Sequence, residues 1–320
     1  MKYLKSMPFT IFVVFCLCIF FSGFPALLMG ADSVSQNTED GLHSILFKTS
    51  AGEIFVYLPE DMAGGEQVSG RITLIPSGKK QEKQEKNREK LREYSLEIAG
   101  QKPDLEMGWI KWVVPREDSL TVSLSDAKGK KIVRAQVPVF DTATLSQSGE
   151  FRCPPYAPAG GVIHLYGKFD GDFGNTLVWI GDKKTSLRAE TVRRIIFASP
   201  GEPLGLTIFK YMERGASGEC RYQNILLETS VGKEVIKKGR ETELYISATG
   251  LEGLKGRIPV TIENLTPDVV EMKGKGTLFI RPTDVQAGGL YAYKTPLTAI
   301  KSGRITIRAR LMPWLPDSRE

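Results

Sequence analysis

Residues 154–215, PPYAPAGGVIHLYGKFDGDFGNTLVWIGDKKTSLRAETVRRIIFASPGEPLGLTIFKYMERG, decide the fold. Their apolar residues come in short runs: Ile163 with Leu165, Val178 with Ile180, Ile195 with Ile196, and Leu206 with Ile208. Glycine or proline stands between the runs, at Gly160-Gly161, Gly167, Gly171, Gly181, Pro200 and Gly205. Short apolar runs bounded by turn residues are the signature of β-strands joined by tight connections. No helical period persists through the stretch.

The order of these features is specific. A proline, a small-residue turn, a strand ending in glycine and a Phe-Gly corner occupy Pro158, Gly160-Gly161, Ile163, Leu165, Gly167, Phe169 and Gly171. A strand ending in glycine follows at Val178, Ile180 and Gly181. An apolar strand before a proline lies at Ile195, Ile196 and Pro200, and a glycine-led strand at Gly205, Leu206 and Ile208. Residues 154–228 thereby resemble the IPT/TIG domain, an immunoglobulin-like β-sandwich. The resemblance implies a spacer, a docking surface or a ligand reader. Cys153 and Cys220 are not part of that family pattern.

The same rhythm extends outward in both directions. In residues 42–145, Ile54 to Leu58 form a run closed by Pro59. Val122 and Leu124 alternate with polar neighbours, residues 126–129 read as a turn, and residues 132–139 as the return strand. In residues 229–311, Leu244, Ile246 and Ala248 share a face, as do Ile258, Val260 and Ile262. The expected fold class is all-β, with tandem immunoglobulin-like β-sandwich domains at 42–145, 146–228 and 229–311 and a tail at 312–320. Residues 79–93 interrupt the first domain with eleven charges and one apolar residue, Leu91. This charged insertion is expected to be a solvated excursion or short surface helix without a buried face; a partner-binding arm is the alternative. Residues 32–40 are polar and read as a flexible leader.

The N-terminus gives an address. Lys2 and Lys5 precede an uncharged stretch, residues 7–29, and small residues follow at Gly30 and Ala31. This is the pattern of a signal peptide over 1–31. The rival is an uncleaved anchor, in which case the membrane is touched only through this segment. Both readings place the rest of the chain outside the cytoplasm, in the periplasm or extracellular space. Cys16 and Cys18 fall inside the segment and follow bulky residues, unlike a lipoprotein cleavage box. Cys153 and Cys220 remain, and two cysteines in an exported chain suggest one disulfide. The alternative is a pair of buried free thiols.

The chain has 320 residues, 41% of them apolar, and a net charge of +6. That excludes a mostly disordered chain and a coiled coil, and the charge is too weak to imply a nucleic-acid partner. Only two histidines exist, His43 and His164. No nucleophile elbow accompanies them. His164 alternates with Ile163 and Leu165, so it is expected to face outward. Carboxylate-pair chemistry needs only two acids at the right separation, and among 37 acidic residues no pair stands out. Residues 170–175, DGDFGN, resemble the start of a calcium loop. The match fails where Gly174 replaces a third acid, and a plain turn is expected. No catalytic residue, cofactor or metal is expected.

Three sets of side chains are candidates for ligand contact. Trp109 aligns with Lys111, opposite the core-facing Trp112. Tyr291 and Tyr293 share one face, as an aromatic row that could stack on sugar. Arg304, Arg308 and Arg310 share a face on the last strand and could grip an anionic polymer. The bland alternatives are cross-strand packing for the aromatics and a solvated face for the arginines. The expectation is a non-enzymatic exported binding or structural protein whose partner is an envelope protein or a polysaccharide. The alternative is a carbohydrate-binding protein or accessory module of a secreted polysaccharide hydrolase.

Overall fold

In the computed structural model, residues 33–314 are described, apart from 106, 127, 141–150, 215 and 273–275. The signal segment, the 141–150 junction and the last six residues of the tail lie outside the described residues. The chain is an all-β protein of layered sheets.

The first unit begins with an antiparallel meander: β1 (Ser33–Glu39), β2 (Leu42–Thr49), β3 (Gly52–Pro59) and β4 (Gln67–Pro76). A helix, α1 (Gln81–Arg92), follows. Next come β5 (Ser95–Ile98), β6 (Trp109–Val113), β7 (Ser119–Ser125) and β8 (Lys131–Pro138). β6 joins the edge of β4, while β5, β7 and β8 form a second layer. Alternation along each strand sends Ile45, Phe47, Ile54, Val56, Trp112, Val122 and Leu124 into one core between the layers.

Two expectations for this unit change. Residues 33–39 are not a flexible leader. They pair along their length with β2, and an exposed edge strand needs backbone partners more than apolar side chains. The charged insertion is helical, but it does bury a face. Leu91 and Asn87, one turn apart, are buried, and Asn87 Nδ2 donates to the Ser77 carbonyl at 2.8 Å. One leucine and one amide therefore anchor an otherwise solvated helix.

The second unit contains β9 (Tyr156–Pro158), β10 (Val162–Tyr166), β11 (Thr176–Ile180), β12 (Lys183–Lys184), β13 (Leu187–Glu190), β14 (Arg194–Ala198), β15 (Gly205–Glu213) and β16 (Ala216–Val231). One layer is β13–β14–β10; the other is β12–β11–β15–β16, with β9 parallel to β16. Between them lie Ile163, Leu165, Val178, Ile195, Phe197, Phe209 and Tyr222. Cys153 and Cys220 are bonded, with Cα atoms 5.5 Å apart, which ties the segment before β9 to β16.

The third unit contains β17 (Val235–Ile236), β18 (Glu241–Thr249), β19 (Ile258–Asn264), β20 (Val270–Met272), β21 (Thr277–Ile280), β22 (Tyr291–Ala299), β23 (Gly303–Arg304) and β24 (Ile307–Leu311). Its layers are β16–β18–β22–β20 and β21–β19–β24, packed through Leu244, Ile246, Val260, Ile262 and Leu297.

The units share strands. β4 pairs with β13 at Gly70↔Ala189 and Ser69↔Glu190, so the first sheet runs on into the second unit. β16 pairs with β15 over its first half and with β18 over its second. A 16-residue strand is about 50 Å long, enough to serve two sandwiches in succession. At the crossing, Asn224 is fully buried. Its amide donates to the carbonyls of Pro200 and Pro203, and its oxygen accepts from Ser199.

Candidate functional site

The sequence candidates are spread apart and mostly engaged. Tyr291 is 6% exposed and packs in the third core, with Tyr293 partly buried against it. The exposed side of β22 is the other one, with Ala292 and Lys294, so this aromatic pair is core and not a sugar platform. The alternation that put the tyrosines on one face was sound; nothing local told which face was inward.

Trp109 is not a free platform either. Its ring lies 5.9 Å from that of Phe173, between the first and second units. The arginines do not form one row. Arg304 sits on β23 and donates to Glu234 at 3.1 Å, while Arg308 and Arg310 sit on β24. Arg308 donates to Glu263 at 2.6 Å, and Arg310 to both Glu263 and Glu39. These two arginines bind the third unit to β1, and the acids beside them answer their charge.

His164 does point away from Ile163 and Leu165, as expected. That face is nevertheless buried, because the first unit covers it. The Arg194 guanidinium lies 3.2 Å from His164 Nδ1 and donates to Asp61 at 2.6 Å. Burial first, and then the Arg194 charge, hold the His164 imidazole well below the ordinary histidine range.

Sequence reasoning passed over one exposed face, the outer side of β12–β11–β15–β16. Val178 and Phe209 point into the core, so Trp179 and Lys210 point out. Register then builds a row across four strands: Lys184, Trp179, Lys210, Glu219. Lys210 Nζ lies 4.0 Å from Glu219. The next row holds Leu177, Met212 and Ser217. On the other side Ile208 pairs with Arg221. Leu206, Ile208 and Met212 are 64%, 36% and 38% exposed, aliphatic surface along one strand that Lys210 interrupts. The available signal was the alternation of β15 and the indole beside Val178.

A second constellation lies at the end of this sheet, where Thr176 of β11 pairs with Glu213 of β15. The loop 170–175 folds back on itself. Asp170 accepts from the Asp172 N–H at 2.9 Å and from Asn175 Nδ2 at 2.9 Å, and pairs with Arg214 at 2.5 Å. Asp172 pairs with Lys111 at 2.6 Å. Glu213 accepts from the Asp170 N–H at 2.7 Å, and Glu190 from the Asp172 N–H at 3.0 Å.

Glu190 is 0% exposed, and its carboxyl is pushed up to about 8, above all by burial. The charges of Glu213 and Asp170 add to the rise; the Thr176 hydroxyl and the Asp172 N–H pull it back. Burial raises Glu213 too, with Asp170 beside it. The loop also forms the joint to the first unit. Ser69 Oγ donates to the Gly171 carbonyl at 2.8 Å, and Gln67 Nε2 to the Asp170 carbonyl at 3.0 Å.

A cleft of about 300 Å³ in the third unit is lined by Leu251, Leu254, Pro282, Val285 and neighbouring glycines, with Glu252 as its one ionisable side chain. Among the described residues no helix is long and apolar enough to cross a membrane.

No family model and no curated protein matches the chain. Solved structures similar to it include SGBP-B of a Bacteroides ovatus mixed-linkage glucan utilization locus, in complex with a mixed-linkage heptasaccharide. The identity is 16% and the TM-score 0.19, over 68% of this chain and 55% of that one. The chain thus spans about half the length of that structure. SGBP-B from a xyloglucan utilization locus of Bacteroides uniformis is 11% identical with a TM-score of 0.25, over 88% of this chain and 98% of that one. The N-terminal four Ig domains of Dscam1 isoform 6.9 are 10% identical with a TM-score of 0.19, over 87% and 88%. At these TM-scores the likenesses carry no argument about this chain.

Proposed function

We propose that this is a non-enzymatic, exported binding protein, periplasmic or extracellular, whose second unit presents a polysaccharide-binding face. One observation carries the reading: the outward row Lys184, Trp179, Lys210, Glu219, flanked by Leu177, Ile208 and Met212. An indole offers a π-face for the apolar C–H side of a sugar ring, and charged groups on both sides offer hydrogen bonds to its hydroxyls. A face built from the side chains of adjacent strands suits a polymer that passes across it. The strands shared between units support a scaffold that holds this face in a fixed orientation, free or as the accessory part of a secreted hydrolase system. The IPT/TIG assignment of residues 154–228 belongs to the same proposal. The layer β12–β11–β15–β16 packed opposite β13–β14–β10 supports it.

A second reading has its own observation. Leu206, Ile208 and Met212 make aliphatic surface suited to an envelope protein partner. Co-sedimentation with insoluble polysaccharides separates the two. The first reading expects Trp179→Ala to abolish pelleting and Ile208→Asp to weaken it partially. Absence of pelleting, with a partner protein captured by the wild type and lost in Ile208→Asp, favours the second.

A further inference from the structure

The linear motif in residues 170–175 lacks the acids a cation loop needs, but the fold supplies them from elsewhere. Glu190 arrives on β13 and Glu213 on β15, and with Asp170 their ligand oxygens lie within 4.8 Å of one another. A cluster of acids alone is common on proteins. Here a second observation separates this one from a surface patch. Glu190 is fully buried, and its Oε2 has no hydrogen-bond partner among the described residues. A buried carboxylate oxygen without a partner is costly and calls for a proton or a cation.

The charges agree. Four carboxylates meet here, Asp170, Asp172, Glu190 and Glu213, and two cations face them, Lys111 and Arg214. With all four carboxylates ionised, as ion binding requires, the deficit is two charges, that of one divalent ion. All the clustered donors are oxygens, with no sulfur or imidazole, which selects a hard cation over zinc or copper. The Arg214 side chain, 65% exposed, can leave Asp170 for solvent when an ion takes its place.

We propose that Asp170, Glu190 and Glu213 hold a divalent cation of the calcium class, and that this ion stiffens the joint between the first and second units. The mechanical consequence follows from position. Backbone carbonyls of the same loop accept from Gln67 and Ser69 of β4, and the Asp172 side chain pairs with Lys111 of β6. Fixing the loop fixes both strands of the neighbouring unit. The inference is independent of what covers the Trp179 face.

The test uses the full mature protein, stripped with chelator and titrated with calcium chloride in a calorimeter. One ion per chain is expected, with a dissociation constant near or below the millimolar range of extracellular calcium modules, and a higher melting temperature with calcium. Terbium, a hard-ion probe, should give luminescence sensitised by Trp109, whose ring lies beside Gly174, and calcium should quench it by displacement. Glu213→Gln, at a partly exposed position, should fold like the stripped wild type and bind calcium about tenfold more weakly or worse. Glu190→Gln should also lose binding; if it fails to fold, Glu213→Gln decides. Absence of saturable binding at millimolar calcium, or wild-type affinity in Glu213→Gln, overturns the proposal.

Discussion

Glu39, on the first described strand, accepts a hydrogen bond from Arg310, on the last. The two are 271 positions apart, and Arg308 and Glu263 complete the network. A polar strand that looked like a leader thus closes the molecule from the first unit to the third. All four side chains keep roughly a third of their surface in water, so the network contributes modestly to stability. We expect Glu39→Ala to cost at most about 1 kcal/mol in urea unfolding. Its larger effect should be faster hydrogen exchange of the β24 amides. Unchanged exchange in β24 would show that the contact does not fasten the third unit.

Gly171 is fixed by two constraints at once. Its φ is +73°, and a Cβ there would stand 2.1 Å from the Gln67 carbonyl oxygen. That oxygen belongs to β4, so the strain cannot be relieved without opening the joint. Gly171→Ala should destabilise the protein by roughly 3 kcal/mol or more, measured by urea unfolding. A cost below about 1 kcal/mol would mean that the loop and β4 are not tightly docked.

Much of the fold was legible and much of the site was not, for reasons visible in single residues. The period-two runs at Ile163–Leu165, Ile258–Ile262 and Val122–Leu124 fall on the strands they announce, because alternation is a local property. Cys153 and Cys220 pair, as counting cysteines suggested. Which face of a strand is inward depends on its neighbours. Tyr291 and Tyr293 do share one face, and that face is the core, as the cross-strand-packing alternative has it rather than the sugar-stacking one. His164 does leave its own core, but enters an interface with the first unit that no local pattern encodes. Glu190 and Glu213 complete the 170–175 loop only after β13 and β15 are laid beside it. Arg308 and Arg310 find their acids on strands far away in sequence.

The His164 environment sets a pH dependence. In the unfolded chain its ring titrates near 6.5; in the folded chain burial and Arg194 hold it well below that. Below pH 6.5 the unfolded state therefore binds a proton that the folded state refuses, and stability falls as pH falls. The limiting slope is about 1.4 kcal/mol per pH unit for one group. His43, lowered chiefly by burial, acts in the same direction. Replacing His164 by Gln should remove its share of the slope between pH 6.5 and 5; of what remains, His43 acts in the same direction and Glu190, pushed up to about 8, in the opposite one. A slope identical to that of the wild type would show that His164 is free to protonate in the fold.

On the proposed function, the outer face of β12–β11–β15–β16 binds polysaccharide through Trp179. Calorimetric titration of the protein with soluble neutral and acidic oligosaccharides, at low and high salt, is the measurement to make. Binding that persists at high salt, and that Trp179→Ala weakens by at least about tenfold, is the predicted result, since stacking on an indole is not screened by ions. Full affinity in Trp179→Ala, or no binding to any glycan in either salt condition, would contradict it.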